Sequence, residues 1–448
     1  MINRAIEWLG DMIWGPWTVA LVLGAGIWFS STNGFLQITH IGTWWRRTIG
    51  AAVRGGGGTG DAGAISPLQS AMTSLAGTLG TGNIVGVATA MTLGGPGAIF
   101  WMWVAALFGM MTAYAENVLG IVFRRRDERG NWLGGPMMYM AHGLGAKGLA
   151  ALWAMICSVA AFGVGNLTQV NSIAASAQSA WGVPEWVSGI VIAVVAAPAI
   201  LGGVKSAARL SEKLVPIMAI IYIAGCAAVL ILNFSRIPSA FGAIFGNILT
   251  PSAAGGGALG AMLAGVRRGV FTNEAGLGSS VMVHSSSDVK EPSTQGMWGI
   301  FEVFFDTIVM CTITALVILV SGAMDIRGAS GERLDGAALS AAAFSGVFGK
   351  LSGSFITLAL MLFAFATVIG WSCYGERAFG YLCGTKYTWL YKMAYVLAII
   401  PGSLFEVRTA WALSDLLNGL MAIPNTVAIL LLWRIPAQHT RQSVLHKR

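Results

Sequence analysis

Two stretches concentrate groups able to hold a small ion or a small polar molecule. In GTLGTGNIVG, Gly77 to Gly86, the hydroxyls of Thr78 and Thr81 and the amide of Asn83 stand beside Gly77, Gly80, Gly82 and Gly86. In FTNEAGLGSS, Phe271 to Ser280, the groups are Thr272, Asn273 and Glu274, followed by Gly276 and Gly278. Glycine lets a ligand approach the backbone. If a helix breaks near Gly80 to Gly82 and restarts near Asn83, its new N-terminus offers N–H groups and a positive dipole end to an anion such as a carboxylate. The carbonyls released from the first half suit a small hard cation. The competing reading is that these small residues only let helices pack closely.

Other polar residues stand in otherwise apolar surroundings. Asn166, Gln169 and Asn171 cluster in AFGVGNLTQVNS, with Asn166 and Gln169 on one helical face; they serve either a ligand, Gln169 foremost, or helix–helix hydrogen bonds. Thr367 and Trp371 lie four apart in FATVIGWSCYGER, a hydroxyl one turn before a bulky wall. Glu302 and Asp306, also four apart, form a polar face that is either part of a cation site or a tie to a neighbouring helix. Glu274 lies seven residues after Arg267, two turns away on the same face if the helix persists. A charge network with Arg267 and Arg268 and a proton-carrying role are both open to it. Glu116 is expected to brace a broken neighbour through backbone N–H groups. Acids inside a membrane are costly and functional by default.

The elements that carry these residues cross a membrane. Of the 448 residues, 55% are hydrophobic and 10% charged, where soluble domains carry about a quarter. No charged residue occurs from Ala62 to Ala115, and similar runs cover Gly148 to Pro184, Leu214 to Ser235, Thr307 to Met324 and Leu351 to Gly375. Since about 20 apolar residues span the hydrocarbon layer, eleven spans are expected, near 14–32, 68–92, 97–123, 149–180, 185–203, 211–233, 257–284, 296–321, 352–376, 388–405 and 410–433. With the N-terminus outside and the C-terminus in the cytoplasm, most of the 27 lysines and arginines fall inside, including Arg46, Arg47, Arg124, Arg125, Arg126, Lys205, Arg209, Lys213, Arg377 and Arg434. That is the positive-inside pattern. It accounts for the net charge of +8, so no nucleic-acid partner follows. The first apolar segment lacks a cleavage signature and carries Trp14, Trp17 and Trp28, so it reads as a span rather than a signal peptide.

Setting that first span aside leaves ten, of which the interrupted 68–92 and 257–284 segments are first and sixth. Five is odd, so the second half enters from the opposite side, which relates two halves by inversion. The expected organisation is 1–66, an N-terminal span with a glycine-rich cytoplasmic connection (Gly55 to Gly58); 67–256, a five-helix repeat; 257–433, its inverted partner; and 434–448, a cytoplasmic tail. Leu334 to Phe348 is weakly helical and is expected to cap the outer side, as a thin gate or as an ordinary surface helix. Two matched interruptions are the mark of a secondary transporter's site. An ion channel lined by the interrupted helices is the alternative. A membrane-embedded enzyme is disfavoured because His40, His142, His284, His439 and His446 lie at loops, tails or span ends, without a metal-ligand cluster. Of the five cysteines, Cys157, Cys226, Cys311 and Cys373 fall in expected spans and Cys383 just past one, and they imply neither disulfide nor metal.

At these residues the chain resembles the alanine or glycine:cation symporter family along nearly its whole length. The segment GTGNIVGVATAMTLGGPGAIFWMWVAALFGMMTAYAE, Gly80 to Glu116, carries most of the likeness. GGPMMYM at Gly134, GVRRGVFTNEAGLGSS at Gly265 and FATVIGWSCYGER at Phe365 follow in order and spacing. Met110 and Met111 depart from it, standing where a smaller residue is expected. The resemblance implies an all-α LeuT-like (APC superfamily) fold of two inverted five-helix repeats with one extra N-terminal helix. It implies uptake of alanine or glycine coupled to sodium, or to protons, across a plasma membrane of bacterial type, with no enzymatic activity and no organic cofactor. Together with the residue reading it makes Thr78, Thr81, Gly82, Asn83, Gln169, Asn273, Gly276, Thr367 and Trp371 the expected substrate neighbourhood. Thr78, Asn83, Thr272, Asn273 and Thr367 are the expected sodium neighbourhood. Oligomeric state, stereochemical preference and the choice between alanine and glycine are left open.

Overall fold

The computed structural model describes residues 2–54, 61, 63–249, 259–328 and 331–445. The Gly55 to Gly58 run, the boundary at 256/257 and the tail residues His446, Lys447 and Arg448 lie outside the described residues.

Long apolar segments become long helices. Among the described residues six are long and apolar enough to cross a membrane: Gly97–Phe123, Lys147–Trp181, Gly203–Leu232, Pro292–Ser321, Gly336–Cys383 and Val407–Leu431. The N-terminal pair Arg4–Ile13 and Pro16–Thr32 is bent by 40°. Glu185–Leu201 is a shorter apolar helix. Its Val191, Val194 and Val195 are exposed, as are Ile220, Ile231 and Leu397 on neighbouring helices. Such a girdle of bare aliphatic side chains requires an apolar solvent. Among the described residues three helical runs carry π-turns, Gly163–Leu167, Phe304–Cys311 and Arg441–Leu445. Such turns cluster at functional sites; the first ends two residues before Gln169 and the second contains Asp306.

The two interrupted segments break as the glycine-rich stretches predict. The first runs Pro67–Thr78, a 3₁₀ turn Thr81–Asn83, then Val85–Gly94. It starts at a capping box in which Ser66 accepts from the Gln69 N–H and Gln69 returns the bond, with Pro67 at the first position. The second runs Gly260–Asn273, an unwound stretch, then the short turn Val281–His284. Glu274 stops its first half by adopting the left-handed region at φ 57°, and Gly276 and Gly278 follow at φ 93° and 78°. Only glycine takes such angles without strain.

The helices Gly260–Asn273 and Pro292–Val303 both pack against Gly97–Phe123. The long Ser352–Cys383 helix lies across the first break, and a Cβ on Gly370 would fall 2.7 Å from the Gly77 nitrogen. The helix expected as a cap, Gly336–Phe348, rests on Val85–Gly94, where the Ser340 hydroxyl donates to the Ile84 carbonyl at 3.2 Å. All five cysteines are thiols, and Cys383 ends its helix exposed.

Candidate functional site

The core of the site is a carboxylate held between the two breaks. Asp306 is fully buried in the Phe304–Cys311 π-turn. Its Oδ1 accepts from the Asn83 amide at 2.7 Å and from the Thr272 hydroxyl at 3.3 Å, and its Oδ2 from Thr307 at 2.8 Å. Asn83 belongs to the first break and Thr272 to the last turn before the second. Gly82 makes the approach possible, since a Cβ there would lie 3.0 Å from the Thr272 hydroxyl oxygen. Asn273 extends the cluster by donating to Thr307 at 3.1 Å. Thr81 adds a buried hydroxyl with no partner.

The first break is closed by side chains in place of its missing helical bonds. The Gly80 N–H donates to Asn83 Oδ1 at 3.1 Å, and the Thr81 N–H to Gln169 Oε1 at 3.1 Å. Gln169 is oriented by its own donation to the Val164 carbonyl at 2.9 Å, at the π-turn. Unlike the expected restart near Asn83, the second half-helix begins at Val85, because Thr81–Asn83 forms a 3₁₀ turn first.

A second group of oxygens lies at the end of the first half-helix. The Thr367 hydroxyl faces the carbonyls of Ala76 at 3.0 Å, Phe363 at 3.2 Å and Leu79 at 3.4 Å. One hydroxyl proton serves one acceptor at a time, so oxygen lone pairs outnumber donors here. An excess of oxygen lone pairs is what a hard cation needs.

The second break is fastened rather than open. Glu274 Oε1 accepts from the Trp371 indole at 2.7 Å and Oε2 from Ser279 at 2.5 Å. The Gly276 carbonyl accepts from Asn425 at 2.9 Å, and Asn425 also donates to Glu116 at 2.5 Å. Glu116 lies beside the Gly276 and Gly278 amides. It does brace the broken neighbour, through Asn425 as well as through backbone.

Several sequence expectations fail here for geometric reasons. Glu274 does not meet Arg267, because the helix ends at Asn273 and the left-handed turn carries the carboxylate to Trp371. Arg267 and Arg268 pair instead with Asp415, each at 3.0 Å. The Thr78 hydroxyl is turned back onto its own helix, toward Ser74 and Leu75 carbonyls at 3.4 Å, and does not join the cluster. Asn166 and Asn171 tie helices together through the Tyr395 and Phe405 carbonyls. Asp415 went unnoticed in the sequence although a lone acid in the apolar 410–433 run was signal enough.

A cavity of about 1370 Å³ opens on the face that carries Lys350 and Arg408. Arg267, Arg268, Asp415 and Trp411 are among its lining, with Val85 and Thr89. Asn83, Thr272, Gln169, Thr367 and Trp371 are not. The Arg268–Asp415 pair and the Phe271–Trp411 stack, with ring centroids 5.0 Å apart, belong to the helices between cavity and cluster. The opposite face is closed by backbone contacts. Arg124 donates to the Ser285, Ser287 and Val289 carbonyls, Arg377 to those of Met282 and Trp132, and Ile65 bridges Ser287. Outside the membrane, Asp61 completes this closure with Arg126 and Trp132, and the Gly63 N–H, the Trp132 indole and Arg126 hold its carboxyl below the usual carboxylate range.

Two interrupted apolar helices around a buried carboxylate cluster, with a cavity on one face and closure on the other, are the arrangement of a multi-pass membrane transporter. The family model for the Sodium:alanine symporter family matches residues 1–446, and the chain belongs to that family. The sodium/alanine symporter AgcS of Methanococcus maripaludis is 42% identical over 441 residues, covering 97% of this chain and 96% of that one. A Bacillus subtilis protein named as a probable sodium/glutamine symporter, GlnT, is 35% identical over 437 residues, covering 97% and 89%. Among solved structures, that of MhsT in complex with L-phenylalanine matches with a TM-score of 0.56 at 15% identity, covering 84% of this chain and 95% of that one. At that identity the likeness establishes the fold alone, and the fold is LeuT-like.

Proposed function

We propose that the chain takes up a small neutral amino acid, alanine or glycine, across the plasma membrane together with sodium, by alternating access. The observation that carries this reading is Asp306, one carboxylate hydrogen-bonded to both broken helices. In this reading a sodium ion sits at Asp306 with the hydroxyls of Thr272 and Thr81 and the Asn83 amide, and a second beside Thr367 and the Ala76, Leu79 and Phe363 carbonyls. The substrate carboxylate lies at the Gly82 and Asn83 backbone, Gln169 holds the break open in register, and Trp371, with Asn273 and Gly276, bounds the side-chain space. Cation and carboxylate together neutralise each other in a low-dielectric site. This is how substrate binding and ion binding become linked.

In this reading the chain crosses the membrane eleven times as two inverted repeats, 67–256 and 257–433, with the N-terminus outside and the C-terminus inside. In that orientation the cavity above Arg268–Asp415 is the outer vestibule, and Gly336–Phe348 lies on its wall. Family membership supports a transporter rather than a channel or an enzyme. Uptake of labelled alanine into proteoliposomes, with and without an inward sodium gradient, tests the proposal. Saturable, gradient-dependent uptake competed by unlabelled alanine is expected; substrate-independent sodium current with no uptake would overturn it. Because the named relatives include both alanine and glutamine symporters, competition by glycine, D-alanine and glutamine in the same assay fixes the substrate.

A further inference from the structure

Beneath the site, on the sealed side, is a buried titratable pair that the proposed transport site does not use. His284 is 0% exposed and Glu302 2%. His284 Nε2 lies 2.8 Å from Glu302 Oε2, and the other Glu302 oxygen accepts from Ser74. His284 Nδ1 lies 2.5 Å from the Gln295 amide nitrogen, which also reaches the Ser70 hydroxyl at 2.8 Å. Ser70 and Ser74 belong to the first broken helix, His284 to the second, and Gln295 and Glu302 to the Pro292–Val303 helix. One small network therefore joins both moving parts to a common neighbour.

The hydrogen-bond roles in this network admit two proton counts. With the Gln295 nitrogen toward His284, Nδ1 must accept, so the ring is neutral and its Nε2–H donates to Glu302. The far end of the amide, Gln295 Oε1, is buried with no partner. Nothing pins that end, so turning the amide over breaks no bond there. Turned over, Oε1 faces Nδ1 and accepts an N–H, which makes the ring an imidazolium. Ser70 then donates to Oε1 and releases the Pro67 carbonyl that it otherwise reaches at 3.2 Å.

Charge favours a second proton. Within electrostatic range of Glu302 lie Glu116, Glu274, Asp306 and Tyr374, none of them cationic. Arg124 and Arg377 donate to the carbonyls of Ser285 and Met282 beside His284 and form no ion pair with Glu302 among the described residues. A neutral ring leaves Glu302 as an uncompensated buried charge, which is costly. We propose that His284 and Glu302 form a proton-binding site, and that the Gln295 amide transmits its occupancy to both broken helices. The bound ligand is one hydrogen ion, added from the aqueous side to the Nδ1 lone pair. No other covalent bond changes. Its place in a transport cycle rests on the symporter reading; its existence does not.

The test uses the full-length protein with His40, His142, His439 and His446 replaced by Gln, leaving His284 as the sole imidazole. Nitrogen NMR of its ring is followed from about pH 5 to about pH 9, the range in which a histidine changes charge. The ring is expected to pass from neutral to doubly protonated, and Glu302→Gln to lower its proton affinity at least about tenfold, one pH unit in midpoint. Should Glu302→Gln fail to fold, Gln295→Leu is expected to move the midpoint while the carboxylate remains. A ring locked in one state throughout, or a midpoint indifferent to the variant that folds, overturns the site. In proteoliposomes, sodium-driven uptake is expected to rise about threefold from pH 8 to pH 6 and to flatten in His284→Gln. A loss of all sodium-driven uptake in the unmodified protein would instead defeat the symporter reading and leave the titration standing.

Discussion

The two breaks occupy corresponding places in the fold yet are built on opposite plans. The first is made of glycine and a 3₁₀ turn, and its polar groups point at Gln169 and Asp306, groups of the site itself. The second is made of a left-handed glutamate and two positive-φ glycines, and its polar groups are tied to Trp371, Ser279 and Asn425. One break offers its backbone; the other is anchored. Similar position in two halves therefore does not mean similar duty, and Glu274 is a brace where Asn83 is a contact.

The comparison breaks most sharply at Asn83 and Asp306. Asn83→Ala and Asp306→Asn should each lower sodium-dependent uptake about 100-fold, roughly 2.7 kcal/mol, while the protein still reaches the membrane. Uptake within a factor of a few of the parent would remove Asp306 from the cation site. Next comes the anchor. Glu274→Ala leaves the Trp371 indole and Ser279 hydroxyl unpaired in the core and should destabilise the protein by about 2–3 kcal/mol, read as lost thermal stability in detergent. If Glu274→Gln instead keeps stability and abolishes sodium dependence, the two breaks share the ion-binding duty after all. Gly276→Ala forces an alanine into φ 93° and should cost about 1–3 kcal/mol, again in stability more than in apparent sodium affinity. Trp371→Phe removes the indole donor but keeps an aromatic wall, and should cost about 1 kcal/mol while widening the range of competing amino acids in uptake assays.

The smallest effect lies at the inner closure. Asp61 has a carboxyl held below its usual range, so its contribution is present above the unfolded-state value near pH 3.8 and fades as pH falls through the lower folded value. Exposure screens it, so Asp61→Asn should shift stability little at neutral pH. A cysteine at Ile65, on the same closure, should label more readily from the face that carries Asp61 in that variant.

Much of this was legible in residues. Glycine with threonine and asparagine in a span marked both breaks, and Gln169, Asn83 and Thr367 all lie where oxygen and nitrogen atoms converge. What escaped depended on where the chain turns. The seven-residue spacing of Arg267 and Glu274 assumed a helix that Glu274 itself ends, so the partner Asp415, 147 positions from Arg268, could not be found by spacing. Thr78 has the right type and position, but a threonine in a helix can satisfy itself on its own carbonyls. His284 sits at a helix end by sequence, and only the packing of Pro67–Thr78 and Pro292–Val303 around it makes it a core residue.

The crossing of Ser352–Cys383 over the first break has a mechanical consequence. Where Gly370 meets Gly77 the two helices touch backbone to backbone, and the Tyr374 ring closes over Gly77, where a Cβ would fall 2.5 Å from its hydroxyl oxygen. A backbone contact edged by a single ring resists movement less than interdigitated side chains do. The resistance to movement at this point then resides in a few exchangeable hydrogen bonds, those of Thr367 with Ala76 and Leu79, and whatever occupies those oxygens sets how readily the joint turns.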